Sequence, residues 1–209
     1  MMKKVLLSLA IVLMSLFLSG QELAPIELPA PDKTKGLPVM QALGERASVR
    51  EWSAQKLGLQ ELSDILWAAN GINRPDEGKR TAASALNAQD IDVYAFTDAG
   101  IYLYNAQKHQ LEPVAAGDYR DLPGMTDAPL NLVLVSDISR FRIGSDSVKM
   151  VWACMDSGIV SQNIAIYCAG TGLKTRPRVG FPGAAKMREL MKLKESHHLM
   201  LNHPIGYPR

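Results

Sequence analysis

Cysteine is scarce in the 209 residues, with Cys154 and Cys168 the only two. A disulfide-stapled scaffold is excluded on that count. A charge imbalance is also missing. Lys and Arg total 23 against 21 acids, and discounting Lys3 and Lys4 of the leader takes the basic count from 23 to 21. With no basic surplus there is no electrostatic footprint for nucleic acid or an anionic surface. No serine lies in a G-x-S-x-G elbow, so a hydrolytic assembly of Asp156, Ser157 and the histidines lacks a nucleophile motif. His197, His198 and His203 have no cysteine or carboxylate at ligand spacing, so no metal site is expected. Neither an internal repeat nor the regular βαβ alternation of a doubly wound sheet is present.

The chain opens with MMKKVLLSLAIVLMSLFLSG, two lysines followed by an apolar run that ends in small residues. This is the pattern of an export signal over residues 1–20, with a periplasmic address, and an uncleaved anchor is the alternative. No cysteine lies near the boundary to carry a lipid. Residues 21–36 hold three prolines, with a fourth at Pro38, and have no periodic apolar face, so they read as an extended tether with little order before Leu37. Residues 37–209 then form one domain.

The longest stretch with a single helical reading is Ser145 to Gly172. Ser145 suits the N-cap, Asp146 the first turn, and Gly170 or Gly172 a left-handed C-terminal turn. Val148, Val151, Trp152, Met155, Ile159, Val160, Ile164, Ile166 and Tyr167 leave almost no polar face, so the helix has to be covered on nearly all sides. Lys149, Asp156, Gln162 and Asn163 interrupt the run too often for a membrane span. Cover by its own domain on one side and by a second copy on the other predicts a homodimer. The two cysteines sit about 21 Å apart along this helix, too far to pair within one chain. Buried free thiols are expected, with an intermolecular bridge open.

PVMQALGER reads as a short helix, GLQELSDILWAANG as an amphipathic helix with Gly71 as its C-cap, and INRPDEGKRTAASALNAQD as a long polar loop. IDVYAFTDAGIYLYN is a hairpin around Asp98, Ala99 and Gly100, and LNLVLVSD is an interior strand. Leu173 to Val179 is a further strand, PGAAKMRELMKL a helix with proline at its first position, and HHLMLNHPIGYPR a last strand. The class is α+β. Arg46, Ser48 and Arg50 share one side in an extended segment, offering two guanidinium forks that suit a phosphate or carboxylate.

Taken in order, these pieces resemble the FMN-dependent nitroreductases. The resemblance is carried by R-x-S-x-R at Arg46, Ser48 and Arg50, by LSDILWAANG, and by Ser84 to Gln89 with the hairpin that follows. Asp156-x-Gly158 with Gln162-Asn163, GTGLKTRPRVGF and the terminal PIGYP complete it. It implies a mixed sheet flanked by helices, in a dimer built around long central helices, with one FMN in each of two interface clefts.

In that reading Arg46, Ala47, Ser48 and Arg50 hold the FMN phosphate and the polar flavin edge. Asn87 and Gln89 reach the ring or ribityl chain, and Ser84 lies where the partner's loop closes over the isoalloxazine. The backbone of Val179 and Gly180 faces the reactive ring nitrogen. Ala83 stands where the family has proline, and Arg209 substitutes for further basic contacts. The implied activity is ping-pong electron transfer from NAD(P)H or another donor to a quinone, nitroaromatic or similar acceptor. Flavin carries the chemistry and no protein residue is catalytic. A non-catalytic flavin- or ligand-binding dimer on the same scaffold is the alternative.

Overall fold

The structure is a computed structural model that describes residues 23–124 and 127–209. The export-signal reading of residues 1–20 lies outside the described residues. In chain order the strands are β1 (Ile26–Glu27), β2 (Ile72–Arg74), β3 (Lys79–Arg80), β4 (Ile91–Phe96), β5 (Gly100–Asn105), β6 (Gln110–Ala116), β7 (Leu130–Asp137), β8 (Lys174–Thr175) and β9 (His197–Gly206). The α-helices are α1 (Val39–Glu45), α2 (Leu59–Asn70), α3 (Asp146–Thr171) and α4 (Ala184–Leu190). Seven strands make one sheet in the order β1-β6-β5-β4-β7-β9-β8. Its named pairs are antiparallel, and the parallel character enters at the edge, where Ser48 bridges Thr175. The fold is α+β, as the mixed helices and hairpin imply.

Period-2 alternation explains why both faces of this sheet are covered. On β4 and β7, Ile91, Val93, Ala95, Leu130, Leu132 and Leu134 point to one side, where they meet Ile65 and Leu66 of α2 and Val160, Ile164 and Cys168 of α3. Tyr94, Phe96, Val133 and Val135 point to the other side and pack on Met187 and Met191 at α4. The run apolar on both faces, β7, is therefore an interior strand, between β4 and β9.

α3 runs 26 residues and ends at Gly172, whose φ of 81° gives the left-handed stop. Ala153, Asp156, Ser157, Val160, Ile164 and Cys168 face inward. Val148, Val151, Met155 and Ile159, spaced three or four residues apart, remain 38–61 % exposed along the opposite side. Within a single chain the helix is therefore covered on one face only. Cys154 lies on the exposed side, which corrects the expectation of two buried thiols; Cys168 is buried, and burial pushes its thiol well up.

Four local expectations change. The segment before Leu37 is extended but anchored rather than loosely ordered. Ile26 pairs with Leu111, the Asp32 amide donates to Asp64 at 2.8 Å, and the Pro29 carbonyl accepts from Ser63 Oγ. Backbone groups that composition left unassigned found partners on β6 and α2. Gly71 does end α2, but with extended backbone (φ −74°, ψ 169°); glycine is needed because a Cβ would lie 2.4 Å from the Trp67 ring. The polar loop after α2 contains the β2–β3 ribbon, turned at Gly78 with φ 62°. The strand expected over Leu173 to Val179 shortens to β8, with a separate bridge between Arg178 and Asn202.

Candidate functional site

The R-x-S-x-R arm leaves α1 in extended backbone, with Arg46 at φ −65° and ψ 115°. It runs alongside β8, where the Val49 amide donates to the Thr175 carbonyl at 3.3 Å. Alternation then sends Arg46, Ser48 and Arg50 the same way, and all three, with Ala47, are exposed. β8 is fixed from beneath. Thr175 is buried with its Oγ1 3.3 Å from His203 Nδ1, and His203 Nε2 lies 2.9 Å from Ser161 Oγ on α3. Burial pushes the His203 imidazole down to about 3, so it remains a neutral link between helix and strand. The Trp52 indole donates to the Lys174 carbonyl at 3.1 Å and locks the arm's far end.

Val179 and Gly180 follow on the same side of the molecule. The Arg178 and Asn202 backbones exchange two hydrogen bonds of 2.9 and 3.0 Å, and Asn202 Nδ2 donates to the Gly180 carbonyl at 3.1 Å. Val179 is 81 % exposed; Gly180 has φ 110°, and a Cβ there would meet nothing within 4 Å. Backbone is thus offered openly at this point. Arg209 follows Pro208, which bridges Trp52, and lines a cleft with Lys56 and Arg120.

The Ser84–Gln89 loop is elsewhere. The Asp156 carboxylate on α3 accepts the Ala85 amide at 2.9 and 3.0 Å, and Ser84 Oγ accepts the Gln89 amide at 2.9 Å. Leu86, Asn87 and Gln89 all have positive φ, 55°, 53° and 50°. Such conformations cost on the order of 1 kcal/mol each in non-glycine residues and persist only where the surroundings impose them. Gln89 imposes part of it. Its Oε1 accepts from Arg80 at 2.9 Å, its Nε2 donates to Gly78 at 3.0 Å, and Arg140 donates to its carbonyl at 2.8 Å. Its side-chain amide is thus engaged at both ends within the chain. Asn87 and Leu86 face solvent.

Beneath this loop lies Asp90, fully buried, accepting from Ser136 Oγ at 2.5 Å. Burial, joined by the neighbouring Asp156 carboxylate and opposed by the Ser136 hydroxyl, pushes the Asp90 carboxyl up to about 7. Asp156 and Asn163 serve buried backbone, as their place in α3 implied; Asn163 donates to the Ala69 carbonyl at 3.4 Å.

The structure therefore brings Arg46, Ala47, Ser48, Arg50, Val179, Gly180 and Arg209 to the β8 side, and among the described residues no hydrogen bond joins Ser84, Asn87 or Gln89 to them. Asp156, which holds the loop, sits near the middle of α3, five residues or about 7.5 Å of rise from Ser161, which His203 links to Thr175 of β8. Sequence reasoning overlooked Arg176 and Arg178, whose signal was the alternating cations of KTRPR. It also overlooked the Asp90–Asp156 pair, which no local pattern announces. Among the described residues no group of three or more His, Cys, Asp or Glu is arranged to hold a metal, and no helix is long and apolar enough to cross a membrane.

An antiparallel sheet packed on one long helix, with an open cationic edge and a strained loop held against the middle of that helix, defines an α+β protein of the nitroreductase fold. The sequence matches the Nitroreductase family over residues 43–207, and the chain belongs to that family. It is 27 % identical over 195 residues to a proposed nitroreductase of Methanocaldococcus jannaschii, an alignment that covers 87 % of this chain and 95 % of the other. A proposed nitroreductase from Ralstonia eutropha JMP134, known in crystal structure, superimposes with a TM-score of 0.82 at 36 % identity, over 91 % of this chain and 92 % of that one. Nitroreductase A of Vibrio parahaemolyticus has a TM-score of 0.60 at 20 % identity, covering 81 % and 66 %, a likeness of fold. Membership makes the chain an oxidoreductase of a family whose proteins generally bind flavin and are typically dimers.

Proposed function

We propose that this chain is an FMN-dependent oxidoreductase that works as a homodimer. It takes electrons from NAD(P)H or another donor and passes them, in a ping-pong cycle, to a quinone, nitroaromatic or similar acceptor. The observation that carries this reading is the split of the site. Arg46 and Arg50 are exposed cations with no ion pair among the described residues, and the strained Ser84–Asn87 loop, held at the middle of α3 by Asp156, makes no hydrogen bond to them among the described residues. Two antiparallel copies of α3, docked through Val148, Val151, Met155 and Ile159, bring the arm of one chain to the loop of its partner.

The residues fit the cofactor. A phosphate monoester carries about two negative charges near neutral pH, which the guanidiniums of Arg46 and Arg50 balance. The bare backbone at Gly180 admits close approach of a flat ring, since nothing stands within 4 Å of where a Cβ would be. When bound, FMN supplies the electron-transfer chemistry. The chain's own work is to hold the phosphate through Arg46 and Ser48, to offer Arg50 to negative charge at the pyrimidine edge, and to cover the ring with the partner's Ser84 and Asn87.

We further propose that residues 1–20 direct export to the periplasm. Nicotinamide cofactors are scarce there, so a different donor is then the physiological one. Mass spectrometry of the secreted chain tests this through its N-terminus. The test of the main reading is the visible absorbance of protein purified without added cofactor and then titrated with FMN. Flavin bands that co-elute with a dimer, and bleach anaerobically with NADH or dithionite, are expected. A colourless protein that ignores FMN overturns the reading; binding with no turnover by any donor and acceptor favours a ligand-binding dimer.

A further inference from the structure

Arg176 and Arg178 remain unused once the cofactor's charges are met. Pro177 between them holds Arg176 in extended backbone, so both residues alternate onto one face of the segment that leads to Val179. Arg178 is held in place, donating through Nη1 to the Gly124 carbonyl at 3.1 Å. The Arg176 Nε is buried and has no hydrogen-bond partner among the described residues. Its charged neighbours are cations: burial, then the fields of Arg178 and Arg50, hold its guanidinium below the ordinary range. Glu45 and Glu51 flank the arm in sequence, yet neither is ion-paired to it among the described residues.

Three guanidiniums gathered without a carboxylate repel one another, and an orphaned buried donor costs free energy until an acceptor arrives. Arg46 and Arg50 balance the phosphate and the pyrimidine edge, so Arg176 and Arg178 form a cationic surplus beside Val179 and Gly180. We propose that this surplus is a substrate-recognition site, and that the acceptor reduced by this protein carries a carboxylate or phosphate which Arg176 binds. The proposal rests on the flavin reading above, because the acceptor stacks where Val179 and Gly180 meet the ring.

The experiment uses the full FMN-loaded dimer, reduced with dithionite and mixed anaerobically with 4-nitrobenzoate or its neutral isostere 4-nitrobenzamide. The ratio of the two reoxidation rates at low substrate is read from the returning visible absorbance. Wild type is expected to favour the carboxylate by at least about fivefold at low salt, the effect of one partly desolvated charge pair. Added salt should erode the preference.

Arg176→Gln should bring the ratio toward unity, and Arg176→Lys should restore part of it, while the FMN dissociation constant stays within about twofold. Benzoate, titrated onto the oxidised protein and followed by the flavin difference spectrum, should bind wild type and not R176Q. A wild-type ratio near unity, insensitive to salt, overturns the proposal even if the variants fail to fold. An R176Q protein that loses FMN affinity tenfold but keeps the ratio also overturns it, by making Arg176 a cofactor ligand. A chain that takes up no FMN overturns both readings, whereas a flavin-loaded chain without the preference overturns this one alone.

Discussion

Against the middle of α3 the Ser84–Gln89 loop is tied by its own side chains and by the buried Asp156 carboxylate, whereas beside β8 the arm's arginines reach solvent without ion pairs among the described residues. The first region resembles a core in its accounting. Its strained backbone is compensated by internal hydrogen bonds, so it is rigid before any ligand comes. The second holds charges that only an external anion satisfies. One region is therefore shaped by folding, and the other presents cations that an anion can complete.

The largest expected effect breaks the bridge between these halves. Met155→Asp sets like charges into the exposed stripe of both copies, where an uncompensated buried charge costs about 3–5 kcal/mol. The dimer dissociation constant should rise by at least about two orders of magnitude, measured by sedimentation. FMN affinity should fall with it if, as proposed, each chain alone holds half a site. A monomer with undiminished FMN affinity would show that the site is complete within one chain.

Next is the folded half. Asp156→Ala orphans the Ala85 amide and should destabilise the protein by about 2–3 kcal/mol, read from urea unfolding. It should also loosen the loop, seen as faster amide exchange at Ala85 and Gln89. The open half predicts the reverse pattern. Arg50→Ala should weaken FMN binding by about 1.5–3 kcal/mol in a fluorescence titration, with the midpoint of unfolding of the apoprotein unchanged. Loss of apoprotein stability in R50A would make Arg50 a structural residue.

The smallest effect concerns pH. Asp90 keeps its proton up to about pH 7 when folded but only to about pH 4 when unfolded. The folded state binds more protons between these values, so this group's contribution declines as pH rises through them. His203 acts in the opposite sense, because its folded value of about 3 lies below the unfolded value of about 6.5. The two slopes oppose one another over their shared window. Asp90→Asn keeps an acceptor for Ser136 and should cost about 1 kcal/mol or less at pH 5. It should leave stability rising with pH up to about 6.5, and urea midpoints across that range test it.

Much of this was legible in the residues. LNLVLVSD announced an interior strand by being apolar on both faces, and the end of α3 was narrowed to Gly170 or Gly172, of which the structure uses Gly172 in the left-handed conformation that a residue without Cβ takes freely. The R-x-S-x-R arm was legible as chemistry because alternation in an extended segment groups its cations. The anchoring of residues 23–36 was not, since proline-rich composition says nothing about which distant amides receive its carbonyls. Nor were the partners of Gln89 legible, since an amide is as suited to a ligand as to Gly78 and Arg80.

The sequence by itself determined the class of fold, the long helix, the β4–β5 hairpin and the interior strand β7, because periodicity and turn chemistry are local properties. Tertiary structure alone decided that Asp90 shares its buried surroundings with Asp156, that His203 links α3 to β8, and that the charged neighbours of Arg176 among the described residues are cations. Those facts depend on pairs far apart in the chain, such as residues 90 and 156 or 50 and 176. Only packing of the sheet against α3, driven by apolar burial that is indifferent to which polar groups it gathers, brings them together.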